Sequence, residues 1–405
     1  MAIIVQKYGG TSVADADRIR AVANRIIATK ENGNQVVVVV SAMGDATDDL
    51  IALARSLTDT PDPRELDVLM STGEIVSSTL LAMTLKHLGH EAISLSGAQA
   101  GIKTDASHSR ARITGIEPER IHRELHKGRI VIVAGFQGIT DSMEVTTLGR
   151  GGSDTSAVAL AAILGAKICE RFTDVDGVYT ADPRVVPGAR RLKEISYEEM
   201  LELATYGAKI MHPRAVELGE LYNIPILVAS SFNGNPGTLI HGGKMEIRNK
   251  VSGIAHDLDV AKITIVGIPD KPGIAAALFE PLAKAGVSVD TIVQNASVAH
   301  ITDMTFTLAE SDLGKAMDVV KPIAQSLGAA SIAADPNIGK ISIVGTGIQN
   351  TPGYAAKMFR TLYDAGINID LISTSEIRIT VIIEEGKVRE AVRALHKAFE
   401  LETEE

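Results

Sequence analysis

Cysteine is nearly missing from this chain. Cys169 is the only one among 405 residues, which excludes a disulfide framework and a thiolate metal cluster and fits a reducing compartment. Basic charge is not in excess either. Forty Lys and Arg face fifty Asp and Glu, a formal net charge of −10, and this argues against nucleic acid as the main partner. No basic-then-apolar leader precedes the strand-like Ala2 to Lys7, and no apolar run approaches the ~20 residues needed to cross a bilayer. These absences predict a cytoplasmic protein with no membrane partner. The phosphate-loop spacing G-x-x-x-x-G-K-[ST] is also missing, and the nearest match to G-x-G-x-x-G, Gly345 to Asn350, ends in Asn. His87, His108, His212 and His256 show no metal-ligand spacing, so no protein metal site is expected.

Strand-like runs alternate with amphipathic stretches over the first 240 residues. Strands are expected at 2–7, 35–41, 91–95, 130–135, 167–172 and 225–229, with helices near 16–31, 64–87, 117–127, 154–164, 196–206 and 213–222. The alternation predicts an α/β fold: an open, mostly parallel sheet with helices on both faces and binding loops at the strand ends. Around 233–250 the chain turns polar and glycine-rich, a domain boundary. An internal repeat follows. Ile263-Thr264-Ile265-Val266-Gly267 recurs as Ile341-Ser342-Ile343-Val344-Gly345, and Pro272-Gly273-Ile274-Ala275-Ala276 as Pro352-Gly353-Tyr354-Ala355-Ala356. A period of about 80 residues is too long for a solenoid unit and implies two copies of one small module. Each copy reads strand, turn, helix, strand, strand, helix, strand, the ferredoxin-like order. The expected division is 1–240, a linker at 241–260, and modules at 261–336 and 337–405.

Two glycine turns in the first domain suit an anion. Leu148-Gly149-Arg150-Gly151-Gly152-Ser153-Asp154 runs from a short strand into a helix, where bare amides and the helix dipole favour negative charge and Arg150 adds a fork for carboxylate or phosphate. Alternatively, Ser153 or Asp154 only caps the helix. Gln6-Lys7-Tyr8-Gly9-Gly10-Thr11-Ser12 puts a positive charge and close backbone approach at the exit of the first strand, unless it is only a tight turn. The loop from Thr173 to Arg184 has turn residues at Asp176-Gly177 and Asp182-Pro183, and taken alone reads as an ordinary hairpin.

These segments occur in order with Val39-Val40-Ser41-Ala42-Met43-Gly44, Ser71-Thr72-Gly73-Glu74 and Gly207-Ala208-Lys209-Ile210-Met211-His212-Pro213. Together they resemble the aspartate kinases of the amino-acid-kinase superfamily, which carry two C-terminal ACT modules. The resemblance spans essentially the whole chain. It implies ATP- and Mg2+-dependent phosphorylation of the side-chain carboxylate of L-aspartate to 4-phospho-L-aspartate, the first step toward lysine, threonine and methionine. Rivals are kinases of glutamate or acetylglutamate, or a catalytically dead amino-acid sensor. The aspartate carboxylate is already ionised at neutral pH, so no base is needed and positioning with charge neutralisation carries the reaction.

By the same resemblance Lys7, Gly9 and Gly10 neutralise the phosphoryl group, with Ser41 near the phosphates. Glu74 takes the substrate ammonium, Arg150 and Ser153 its α-carboxylate, and Thr47 a nearby contact. Asp154 orients Lys7 and Lys209. Thr173, Asp174, Tyr179, Arg184 and Ile210 line the nucleotide pocket, with Lys209 reaching the phosphates. Outside the resemblance, Glu74 reads as a solvated helix-start carboxylate and Thr47 as a helix cap. Effector contacts are implied at Asp270, Gly273, Ile274, Ala275, Gln294 and Asn295 in one module. In the other they are implied at Asn350, Gly353, Tyr354, Ala355, Ser375 and Glu376. The resemblance further implies threonine, lysine or both as effectors, a strand near 251–256 lent to the second module, and a homodimer or an assembly with a short regulatory subunit starting near Met245.

Overall fold

The computed structural model describes residues 1–208, 210–242, 251–295, 300–348 and 351–403. Lys209, Met245 and Asn350 lie outside the described residues. The chain divides into two compact units, the first formed by most of residues 1–246 and the second by 180–190, 206–208 and the C-terminal part.

The first unit contains strands β1 (Ile3–Tyr8), β2 (Gln35–Val40), β3 (Ala92–Leu95), β4 (Ile102–Thr104), β5 (Ile113–Ile116), β6 (Ile130–Ala134), β7 (Gln137–Ile139), β8 (Val145–Thr147), β9 (Ile168–Thr173), β10 (Glu194–Ile195), β11 (Ile226–Ser230) and β12 (Thr238–Ile240). Its helices are α1 (Ala16–Glu31), α2 (Ala46–Leu57), α3 (Pro63–His87), α4 (Glu119–His126), α5 (Gly152–Ile163), α6 (Tyr197–Thr205) and α7 (Pro213–Leu221). Among the described residues the main sheet has the order β10-β12-β11-β9-β1-β2-β6-β3. Its pairs are parallel except β11 with β12. Val36 to Val40 are all buried, as an apolar strand covered on both faces requires.

β1 lies centrally between β2 and β9, so the loops leaving these three strands share one end of the sheet. That end is where open α/β sheets bind ligands. α3 starts sharply because Asp62 accepts hydrogen bonds from the Arg64 and Glu65 amides and Pro63 fits the first turn. By length and composition alone α3 is apolar enough to span a bilayer, yet it packs on β3 and β6 and carries the buried carboxylates Asp67 and Glu74.

Several parts of this unit depart from the sequence expectation, the short edge strands β10 and β12 among them. α2 was not anticipated. A small sheet in the order β5-β4-β7-β8 was anticipated only at β8.

The second unit contains β13 (Gly253–Asp257), β14 (Ala261–Pro269), α8 (Ile274–Lys284), β15 (Val289–Gln294), β16 (Ile301–Leu308), α9 (Leu313–Ser326), β17 (Ser331–Asp335), β18 (Ile338–Val344), α10 (Tyr354–Asp364), β19 (Leu371–Thr374), β20 (Arg378–Glu384) and α11 (Val388–Ala398). The sheets are β15-β16-β14-β17 and β13-β18-β20-β19. The repeat pattern predicts a closing strand after the last helix of each copy. The first copy has it as β17. In the second, β13 pairs antiparallel with β18 and fills the corresponding edge. Residues 180–190 also belong here: Ala181, Val185 and Val186 are buried in the second module's core with Ile341, Leu362 and Leu395.

Candidate active site

Lys7, at the sheet end of β1, is buried with its side chain 7% exposed, and its Nζ stands 2.5 Å from Oδ1 of Asp154 in the first turn of α5. Burial pulls the Lys7 ammonium below its ordinary pKa while Asp154 pulls it back up. Burial works to raise the pKa of Asp154, but the charges of Arg171 and Lys7 win and hold it at about 2. Asp154 thus holds two cation contacts, Lys7 and Arg171, inside one buried cluster. Arg171, whose Nε lies 3.0 Å from Asp154 Oδ2, was not singled out by the sequence. A charged residue inside a buried parallel strand was the available signal.

Glu74 is mid-helix in α3 and 3% exposed, so it is not the solvated helix-start carboxylate of the alternative reading. Its Oε1 accepts the Ala42 amide at 3.1 Å, and its Oε2 is buried without a hydrogen-bond partner. Burial drives its pKa up to about 7, against the Ala42 bond and the charge of Lys7. This close approach depends on Gly73, where an added Cβ would sit 2.8 Å from the Ala42 Cβ.

The turn before α5 is built as tightly. Gly151 has φ +70°, and a Cβ there would fall 2.4–2.5 Å from the His212 ring. His212 packs there and its Nδ1 accepts the Arg214 amide, capping α7. Arg214 in turn donates to the carbonyls of Leu148 and Ala111. The amides of Gly152, Asp154 and Thr155 donate to Gly149 and Gly151 carbonyls, and the Gly9 amide to the Phe172 carbonyl. Much of the backbone set expected to face an anion therefore closes the turns themselves. Ser153 is buried and Arg150 exposed.

Ser41 follows β2, its amide donating to the Tyr8 carbonyl and its carbonyl accepting the Ser77 hydroxyl at 2.7 Å. Thr47 lies in the first turn of α2, where Asp45 holds the cap position, so the capping alternative for Thr47 does not hold. The Thr173 hydroxyl donates to Asp174 at 3.0 Å, and Tyr179 bridges to Arg191. Ile210 is half-buried. Arg184 departs from the expected grouping: it belongs to the second unit, not the one holding Thr173, Asp174 and Tyr179, and forks onto Asp182. Asp67, also unforeseen, is fully buried and accepts bonds from the Ser109 amide and the hydroxyl of Thr147, tying α3 to the strand before the glycine turn.

In the second unit, Gly273 and Gly353 cap α8 and α10, bringing Ile274 and Ala275 in one module, and Tyr354 and Ala355 in the other, to helix starts. The Gln294 side chain approaches Asp270 at 3.4 Å, and the Asn295 carbonyl accepts Thr302. A cavity of about 300 Å3 is lined by Ile348, Thr351, Gly353, Tyr354, Ala355 and Ile379, among others. Ser375 and Glu376 follow β19 outside that lining.

The amino acid kinase family model matches residues 2–230, and ACT domain models match 262–325 and 341–399. The aspartokinase of Mycolicibacterium smegmatis is 51% identical over 99% of this chain and 97% of its own length. An aspartate kinase of Stutzerimonas stutzeri is 50% identical over 99% and 98%. This chain belongs to the aspartokinase family. The structure of E. coli aspartokinase III in complex with aspartate and ADP superposes with a TM-score of 0.84 at 25% identity, covering 98% of this chain and 99% of that one. Its lysine and aspartate complex gives 0.74 at 26% identity over 98% and 99%. The protein is thus an aspartate kinase with an amino-acid-kinase domain followed by two regulatory ACT domains.

For this aspartokinase, Gly73→Ala is expected to push α3 from the β2 exit and carry Glu74 with it. The KM for L-aspartate should rise roughly tenfold or more in steady-state assays, because sub-ångström placement governs bound reactants. An unchanged KM would mean that the Ala42–Glu74 contact does not set the substrate position.

Proposed function

We propose that phosphoryl transfer from ATP to the L-aspartate side chain runs between Glu74 and Lys7. The observation that carries this reading is the unpartnered, buried Oε2 of Glu74, set within electrostatic reach of buried Lys7. An acceptor deprived of both water and a partner is costly to keep, and the ammonium of an amino acid satisfies it. Arg150, Ser153 and Thr47 then hold the rest of the substrate. Lys7 neutralises the migrating phosphoryl group, with Gly9, Gly10 and Ser41 beside it, and Asp154 orients Lys7. Thr173, Asp174, Tyr179, Ile210 and Lys209 serve the nucleotide.

The substrate carboxylate is its own nucleophile, so these side chains bind, align and shield two anions rather than move a proton. Magnesium supplies charge neutralisation on ATP. Among the described residues no cluster of three or more His, Cys, Asp or Glu fits a metal, and Asp154 is already engaged by Lys7 and Arg171. Coupled ADP release in the presence of L-aspartate, L-glutamate or no acceptor tests the reading. Turnover should require L-aspartate, and equal rates with glutamate would overturn it.

Regulation is assigned to an amino acid of threonine or lysine size at the Gly353–Ala355 turn, and by analogy at the Asp270–Ala275 turn, in a cytoplasmic enzyme. The cavity beside Tyr354 has the volume and mixed lining such a ligand needs. Tyr354→Ala should raise the half-inhibiting concentration of the effective amino acid roughly tenfold, the loss of about 1.4 kcal/mol of contact. An unaltered inhibition curve would remove the cavity from the regulatory site.

A further inference from the structure

We propose that Arg171 is a positioning residue for phosphoryl transfer, anchoring Asp154 so that Lys7 can turn from the carboxylate to the phosphate while Asp154 stays fixed and charged. The inference rests on the Lys7 role given above and adds a residue to it.

The placement follows from register. β1 and β9 are parallel neighbours, and Lys7 lies opposite Arg171. Both side chains converge on Asp154 at the start of α5, Lys7 at 2.5 Å on Oδ1 and Arg171 at 3.0 Å on Oδ2. The three are 7%, 13% and 5% exposed. Lys7 alone would neutralise Asp154, so the second cation leaves the cluster with a net positive charge. Moreover, Nη1 of Arg171 is buried without a hydrogen-bond partner. A buried guanidinium with an idle donor is unfavourable unless its charge is used.

A use appears once the nucleotide enters. Phosphate oxygens compete for Lys7, and an Asp154 with only that partner would become a lone buried carboxylate, the arrangement proteins tolerate least. Arg171 removes that penalty and leaves Lys7 free to move. The other titratable groups facing the cluster do not replace it. Burial keeps the Cys169 thiol and the His212 ring neutral, raising the pKa of the first and lowering that of the second. Glu74 from α3 is a carboxylate, and Glu170, next to Arg171 on β9, lies on the other face of the strand, where it accepts the Gln6 side-chain amide.

The test compares Arg171→Met, Arg171→Gln and Arg171→Lys in the full-length enzyme, with Lys7→Met alongside. Met and Gln should each lower kcat about tenfold or more, the scale of one charged hydrogen bond lost in the transition state. The KM for ATP and L-aspartate should move far less than kcat.

The kcat–pH profile separates this role from simple packing. Removing a positive charge raises the pKa of Lys7, so the alkaline limb should move to higher pH. Arg171→Lys keeps the charge and should return that limb toward wild type with much of kcat. If Met and Gln variants retain wild-type kcat and alkaline limb, the inference is wrong. It is equally wrong if Lys fails to rescue and all three variants are slowed with an unmoved limb. Normal turnover in Lys7→Met would instead defeat the Lys7 reading, a separate failure.

Discussion

Lys7→Met is expected to lower kcat roughly 10³-fold, the scale seen when one donor to a developing transition-state charge is removed. Methionine keeps most of the apolar stem without the charge, and Asp154 keeps Arg171 as its partner, so the variant should fold without a stranded buried anion. The KM for L-aspartate should change little, since the ammonium contact at Glu74 is left alone. ADP release under saturating substrates measures the loss, with thermal unfolding as the control for folding. Turnover within tenfold of wild type would take Lys7 out of the reaction.

Glu74→Gln should produce the second large effect, in substrate capture. Deleting one charge of a buried pair costs about 2–5 kcal/mol, so kcat/KM for L-aspartate should fall on the order of 10²–10³-fold. Because the Glu74 pKa is about 7, wild-type kcat/KM for aspartate should rise with pH through neutrality as the carboxylate ionises, and this limb should vanish in the variant. Aspartate binding near pH 6.5 should release a proton, detectable by calorimetry in buffers of different ionisation enthalpy.

The stability consequence has the opposite sign. A carboxyl whose folded pKa lies above its unfolded value of 4.5 binds its proton more tightly when folded. The free enzyme therefore loses stability as pH rises from the unfolded to the folded value. The shift corresponds to about 3 kcal/mol at most. Glu74→Gln should accordingly raise Tm at pH 8, while doing much less at pH 4. A lower Tm at pH 8 would contradict the buried, unsatisfied state of this carboxylate.

The legible parts of the fold were those with strong local patterns. Val36 to Val40, the long helix from Pro63 and the glycine turn at Gly149 to Asp154 each carry their signal within a few residues. α2 is the exception: Leu50, Ala54 and Leu57 recur at helical spacing, but none of its residues is buried. β4, β5 and β7 are only three or four residues long, too short for alternation to show.

The site divides in the same way. Lys7, Glu74 and Asp154 stand in motifs. Arg171 and Asp67 take their meaning from partners distant in sequence: Asp154 lies 17 residues from Arg171, and Thr147 lies 80 from Asp67. Arg184 shows the converse. It follows a readable turn, but the apolar residues around it, Ala181, Val185 and Val186, draw that segment into the second unit's core.

That last feature bears on any attempt to express the sensory half by itself. A gene fragment opening at residue 245 would retain β13 and every strand of both small sheets, but not Ala181, Val185 and Val186, which sit against Ile341 and Leu395. Such a fragment would bear a bare oily notch that the intact polypeptide fills from within its own earlier sequence. It should be stickier and less heat-resistant than the same stretch left attached, and supplying residues 180–190 as a free peptide should mend part of the defect.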